Sequence, residues 1–149
     1  MPVMGVSRFE HFFKAAAGVD VDKNDLRRYH EFVEHKLYDL LLMAQATAKA
    51  NGRDVIEPFD LPVTKGLQES IHLFRRLNEE TEVEPILELL AARPPLDLEL
   101  RDTAGERLPT IVGGLSVALA RAFRLVFPDV RNPQTRHWER VRQIFDLLL

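Results

Sequence analysis

Apolar positions recur every three or four residues through most of this chain, the spacing of a helix with one buried face. Phe9, Phe12, Phe13 and Ala16 form the first such stripe, with Ser7 and Glu10 matching a capping box at its start and Gly18 ending it. A far longer stripe runs through Leu26, Tyr29, Val33, Leu37, Leu40, Leu41, Ala44 and Ala48. It predicts a helix over 25–50, capped by Asp22 or Asn24. The opposite face carries Arg27, Arg28, Glu31, Glu34, Lys36 and Asp39. A helix of that length needs a partner along its stripe, because intrinsic propensity alone does not hold it in water. Val63, Leu67, Ile71, Phe74 and Leu77 predict a third helix, its start disturbed by Pro62.

The second half repeats the order without repeating the letters. Thr81 and Glu84 match another capping box, Pro85 fits the first turn, and Ile86, Leu87, Leu89 and Leu90 supply an apolar face that Pro94 and Pro95 end. Leu96, Leu98 and Leu100 alternate, as in a short extended piece. Leu108, Ile111, Val112, Leu115, Leu119, Ala122, Phe123 and Val126 predict a second long helix over 108–127, stopped by Pro128. Asn132 and Pro133 read as cap and first residue of a last helix lined by Trp138, Val141, Ile144, Phe145 and Leu148.

Composition narrows the class. The chain has 149 residues, enough for one domain with a real core, and 46% hydrophobic with 29% charged residues is a globular balance. No apolar run reaches the roughly 18 residues that span a bilayer, and no secretion signal is visible, so the expected location is cytoplasmic, including the nucleoid. With no cysteine, disulfides, thiolate metal sites and thiol nucleophiles are excluded. Twenty Lys plus Arg face 23 Asp plus Glu, a net charge of −3, which argues against a strongly basic coat for nucleic acid.

One stretch is more specific. Small residues from Ala44 to Ala50 run into Asn51 and Gly52, followed by Arg53, the β-branched pair Val55 and Ile56, Pro58 and Asp60. Gly52 supplies a left-handed helix end, Val55 and Ile56 a short extended piece, and Pro58 with Asp60 the first turn of a new helix. Lys49, Gly52, Arg53, Val55, Ile56 and Asp60 resemble the central loop of archaeal histones. The chain as a whole is similar to a group of bacterial proteins of unknown function that join two histone folds in one polypeptide. The resemblance implies an all-α fold of two histone folds, each short–long–medium, over 7–78 and 81–149, fused as an intramolecular handshake within a single compact domain, 1–149. It implies an ion pair between Arg53 and Asp60 that clamps the loop. In the second half Arg131 has Trp138 at the matching spacing, so no such clamp is expected there. Gly113 and Gly114, inside the second long helix, cost about 2 kcal/mol relative to alanine, and are expected where the two long helices cross.

The resemblance further implies contact with duplex DNA at paired loops, weak and without sequence specificity. One end would combine Lys23, Arg27 and Arg28 with Arg131 and Arg136. The other would combine Lys49, Arg53 and Arg101, diluted by Asp54, Glu57, Asp97, Glu99 and Asp102. The competing reading makes these arginines ordinary surface ion-pair partners and the protein a scaffold for another protein or a second copy of itself. His30 and Glu34 share the i,i+4 spacing of a metal pair, but two ligands do not make a site, so no metal is expected. Ser7, Ser70 and Ser116 lack a nucleophile's context and no phosphate loop is present, so neither an enzyme nor a cofactor is expected.

Overall fold

The computed structural model describes residues 5–77, 91–92 and 95–149. The features predicted over 78–90 and at Pro94, including the capping box at Thr81 and Glu84, lie outside the described residues. The fold is all-α. Helix α1 (Val6–Ala17) is followed by α2 (Lys23–Ala50), strand β1 (Val55–Ile56), a 3₁₀ turn (Pro58–Asp60) and α3 (Lys65–Arg76). Then come β2 (Glu99–Leu100), a single helical turn (Asp102–Gly105), α4 (Leu108–Val126) and α5 (Thr135–Leu148).

Several boundaries differ from the predicted ones for local reasons. Helix α1 starts at Val6 with Gly5 at its cap, which places Ser7 inside the helix, and the Ser7–Glu10 box does not form. Helix α2 does carry a complete box: Asp22 accepts from Asn24 and Asp25 N–H, and Asp25 accepts from Asp22 N–H at 3.0 Å. At 28 residues it is about 42 Å long. Asp60 lies in a 3₁₀ turn and not in the first turn of α3, because Pro62 delays that helix until Thr64 caps it by accepting from Leu67 N–H. Helix α5 begins at Thr135, two residues beyond Pro133, because Gln134 and His137 form its cap. Lys36, expected on the polar face of α2, is 2% exposed. Its ammonium is held 2.5 Å from Asp146 on α5 and 3.5 Å from Asp39, which offsets the desolvation of the charge.

Residues of both halves make one core, and Tyr29 of α2 meets Ser116 of α4 inside it. Their oxygens are 2.7 Å apart, and Ser116 donates onward to the Val112 carbonyl. Burial pushes the Tyr29 phenol well up, so it stays protonated and serves as the donor. The Phe9 and Phe13 rings pack against Tyr29, and Phe32 meets Phe145 edge-on. The stretch Asp102–Val126 is long and apolar enough to cross a membrane by length and composition. More than half of its apolar 18-residue window, 56%, is buried inside the fold, so core packing accounts for its apolarity.

The glycine pair has a different neighbour from the one expected. A Cβ on Gly113 would lie 2.4 Å from the Phe74 ring, and one on Gly114 would lie 2.5 Å from Ile71 Cγ1 and 3.1 Å from the Ile71 backbone nitrogen. Both neighbours belong to α3, whose contact with α4 is the most extensive between any two described elements. The glycines therefore admit the third helix of the first half, while the long helices touch at Tyr29 and Ser116. Alanine at Gly113 or Gly114 would gain about 1 kcal/mol of helix propensity. The buried Phe74 ring and the α3 backbone cannot withdraw cheaply, so net destabilisation of about 1–3 kcal/mol is expected from overpacking. Urea denaturation of Gly113→Ala and Gly114→Ala checks this, and a rise in midpoint would contradict it.

Candidate nucleic-acid interface

Each end of the molecule joins a loop of one half to a loop of the other. At the first end, loop 18–22 meets loop 127–134 through a 2.7 Å hydrogen bond from Asp20 N–H to the Arg131 carbonyl. Gly18, at φ 66°, allows the turn that brings loop 18–22 out of α1. At the second end, β1 and β2 pair in parallel, Val55 opposite Glu99 and Ile56 opposite Leu100. Gln45, buried on α2, holds β2 by accepting from Leu98 N–H at 3.0 Å.

The first end is built from two helix starts lying side by side. Asp25, 2% exposed, accepts from the Trp138 indole N–H at 2.8 Å, tying α5 to α2. Burial raises its carboxyl above the usual carboxylate range, against the lowering effect of the Asp22 N–H and Trp138 hydrogen bonds. Arg28 donates to Thr135 Oγ1 at 2.5 Å and lies 3.5 Å from Asp25. His137 accepts from Gln134 N–H through Nδ1 at 2.8 Å, with the Phe127 ring stacked edge-on against it. Burial, and then the Arg136 charge, hold its imidazole below the usual histidine value, which keeps Nδ1 free to accept.

Of the five cations expected here, Arg28 is thus engaged by Thr135 and Asp25. Lys23, Arg27, Arg131 and Arg136 are exposed, and none makes an ion pair with a described residue. Nearby acids are partly spent: Asp20 is bound to Lys14 at 2.9 Å, Asp22 caps α2 and Asp25 is buried. Asp129 stays exposed beside them. Four cations thus stand exposed beside the starts of two helices, with Asp129 exposed among them.

The second end is neutralised. Arg53 is hydrogen-bonded to the fully buried carboxylate of Asp60, which also accepts from Glu57 N–H at 2.9 Å. The Phe59 ring covers the Arg53 guanidinium at 4.8 Å. Arg101 reaches both Glu57 oxygens at 2.8 and 2.9 Å, and Lys49 is 2.5 Å from Asp97. Asp54, Glu99 and Asp102 remain exposed around these pairs.

The resemblance implied the Arg53–Asp60 pair, which is present, but not what replaces it at the other end. Trp138, at the corresponding position after Arg131, performs the fastening by reaching across to Asp25. Its signal was the departure itself, a lone indole donor where a carboxylate was expected. Of the remaining candidates, Ser70 and Ser116 are buried. His35, Asp39 and Asp146 bring ligand atoms within 4.8 Å of one another, a grouping that residue spacing alone does not reveal. The Lys36 ammonium already supplies the counter-charge there.

Two stability measurements probe these fastenings. Arg53→Ala leaves the buried Asp60 carboxylate without its charged partner and should cost about 1–3 kcal/mol; a melting temperature equal to that of the parent would contradict the assignment. His137 binds a proton less readily folded than unfolded, so its contribution is present above about pH 6.5 and fades as pH falls toward the lower folded value. His137→Gln keeps a capping side chain that does not titrate. Urea denaturation across this window should show a shallower loss of stability in the variant, and equal slopes would exclude the histidine cap as the cause.

The family described as a domain of unknown function, DUF1931, matches residues 9–146. Two proteins of Aquifex aeolicus (strain VF5), both described as uncharacterized, are similar to the chain. One is 28% identical over 142 residues, covering 95% of this chain and 82% of its own. The other is 26% identical over 139 residues, covering 85% and 81%. A crystal structure from Thermus thermophilus superposes with a TM-score of 0.93 at 50% identity, covering 99% of each chain. A second, at 1.9 Å from Aquifex aeolicus, gives a TM-score of 0.80 at 27% identity, covering 96% of this chain and 94% of its own.

Proposed function

We propose that this chain, which belongs to the DUF1931 family, is a non-enzymatic pair of histone folds joined in one polypeptide that holds duplex DNA by its backbone. The architectural support is the cross-pairing of loops. The loop after α1 lies beside the loop after α4 at one end, and β1, which follows α2, pairs with β2 at the other, as an intramolecular handshake requires. The observation that carries the DNA reading is the asymmetry between those ends. Lys23, Arg27, Arg131 and Arg136 stand without described ion-pair partners beside two helix N-termini, whereas Lys49, Arg53 and Arg101 are each bound to a carboxylate.

Backbone contact through a few cations gives weak binding that does not read sequence, because phosphates carry no base information. It also accommodates the net charge of −3, since Asp54, Asp97, Glu99 and Asp102 gather at the far end. A location on the nucleoid follows from this reading.

Anisotropy of a labelled duplex across a salt series tests it. Four phosphate contacts should give a log–log slope near −3.6, at about −0.9 per phosphate neutralised. Arg131→Ala combined with Arg136→Ala should flatten the slope by about 2 units. Absence of binding at about 50 mM salt overturns the proposal in favour of a scaffold, and an unchanged slope in the variant moves the contact elsewhere.

A further inference from the structure

A groove of about 830 Å³ runs between α3 and α4, away from any residue assigned to DNA above. Its rim carries Arg75 from α3, and Arg107 and Arg121 from the start and middle of α4. All three are exposed and none makes an ion pair with a described residue. His72 joins them. Among the described residues the one carboxylate lining the groove, Glu69, is bound to Lys65 at 2.8 Å. On a chain of net charge −3, this is a concentration of positive charge among the described residues, with Arg121 near enough to Glu69 to help lower its carboxyl.

The floor is of another kind. Ile71 and Ile111 are buried there, and Val63 and Leu73 are half-buried. A second hollow of about 380 Å³ shares Leu73 and Arg121 with the first and adds Arg76 and Val117, lengthening the same channel. Arg107 and Arg121 lie on one helix, about 21 Å apart along its axis, which is four turns of a helix laid alongside. An apolar floor between rows of cations is complementary to a helix with one apolar stripe and carboxylates beside it. Duplex DNA offers phosphates to the rim but no convex apolar ridge to the floor.

We infer that the α3–α4 groove is a docking site for an acidic amphipathic helix of a partner protein, seated with its apolar stripe on Ile71, Leu73 and Ile111 and its carboxylates against Arg75, Arg107 and Arg121. The site does not depend on the DNA reading. It uses separate residues, so a molecule that never binds DNA would still carry it.

The test uses the full chain and a labelled helical peptide of about 18 residues, with leucine at the i, i+3, i+4, i+7 positions and glutamate flanking them. Anisotropy at about 50 mM salt should show saturable binding, weakened at least about tenfold by Arg75→Glu with Arg121→Glu, a change of about 1.4 kcal/mol. These exposed substitutions should leave the circular dichroism spectrum unchanged. A peptide with serine in place of leucine should bind at least about tenfold less, as loss of the apolar contact predicts. Arg131→Ala with Arg136→Ala should leave peptide binding as it was, which separates this site from the DNA end. No saturation by about 100 µM overturns the proposal, as does equal binding of the serine peptide. Displacement of the peptide by duplex DNA, with the groove variant weakening DNA binding, would make the groove a nucleic-acid surface and overturn it. So would sedimentation showing self-association that the charge reversal abolishes, because the occupant would then be a second copy.

Discussion

The close approach of α3 to α4 governs the rest of the structure. Phe74 and Ile71 lie where the side chains of residues 113 and 114 would be, so only glycine lets the two backbones come that near. Burying side chains of that size is worth about 1.5–3 kcal/mol each, enough to offset the roughly 2 kcal/mol that two mid-helix glycines cost. Helix α4 belongs by sequence to the second half, yet α3 and α1 of the first half cover it. Among the described residues the two halves share one core. Exposed ion pairs such as Lys14–Asp20, at about 0–1 kcal/mol each, trim this arrangement and do not create it.

Because the halves interlock, each end of the molecule is a junction of both, and the two junctions are fastened by opposite chemistry. At one, a buried carboxylate is held by an arginine, and Lys49, Arg53 and Arg101 each have an acid beside them. At the other, a buried carboxylate is held by an indole N–H. An indole carries no charge, and beside it only Arg28, 3.5 Å from Asp25, is drawn into this fastening among the arginines expected there.

Much of this was legible in the sequence where the cause was local. The order of helices follows from apolar spacing, and the Arg53–Asp60 pair from a short motif whose members are fixed by one loop. The glycine pair is a sign of close packing in the sequence as in the structure, but its neighbour is α3 and not the other long helix. Residue spacing along α4 says that a backbone comes near and not which one. Lys36 belongs on the polar face by its type, and it is buried because Asp146, 110 residues away, meets it there. The Trp138–Asp25 bond is equally remote in sequence. Such pairings depend on the full three-dimensional arrangement, which no periodicity encodes.

The indole that fastens the first end is also the chain's one tryptophan. It sits between the rings of Phe13 and Phe123, with its N–H bound to a carboxylate, and is 5% exposed. Its emission therefore reports from a single known place, the seam between the starts of α2 and α5. Loosening of that seam would quench or red-shift the signal while the far junction, which has no tryptophan, remained spectroscopically silent. The protein carries its own optical gauge for the end that its indole fastens.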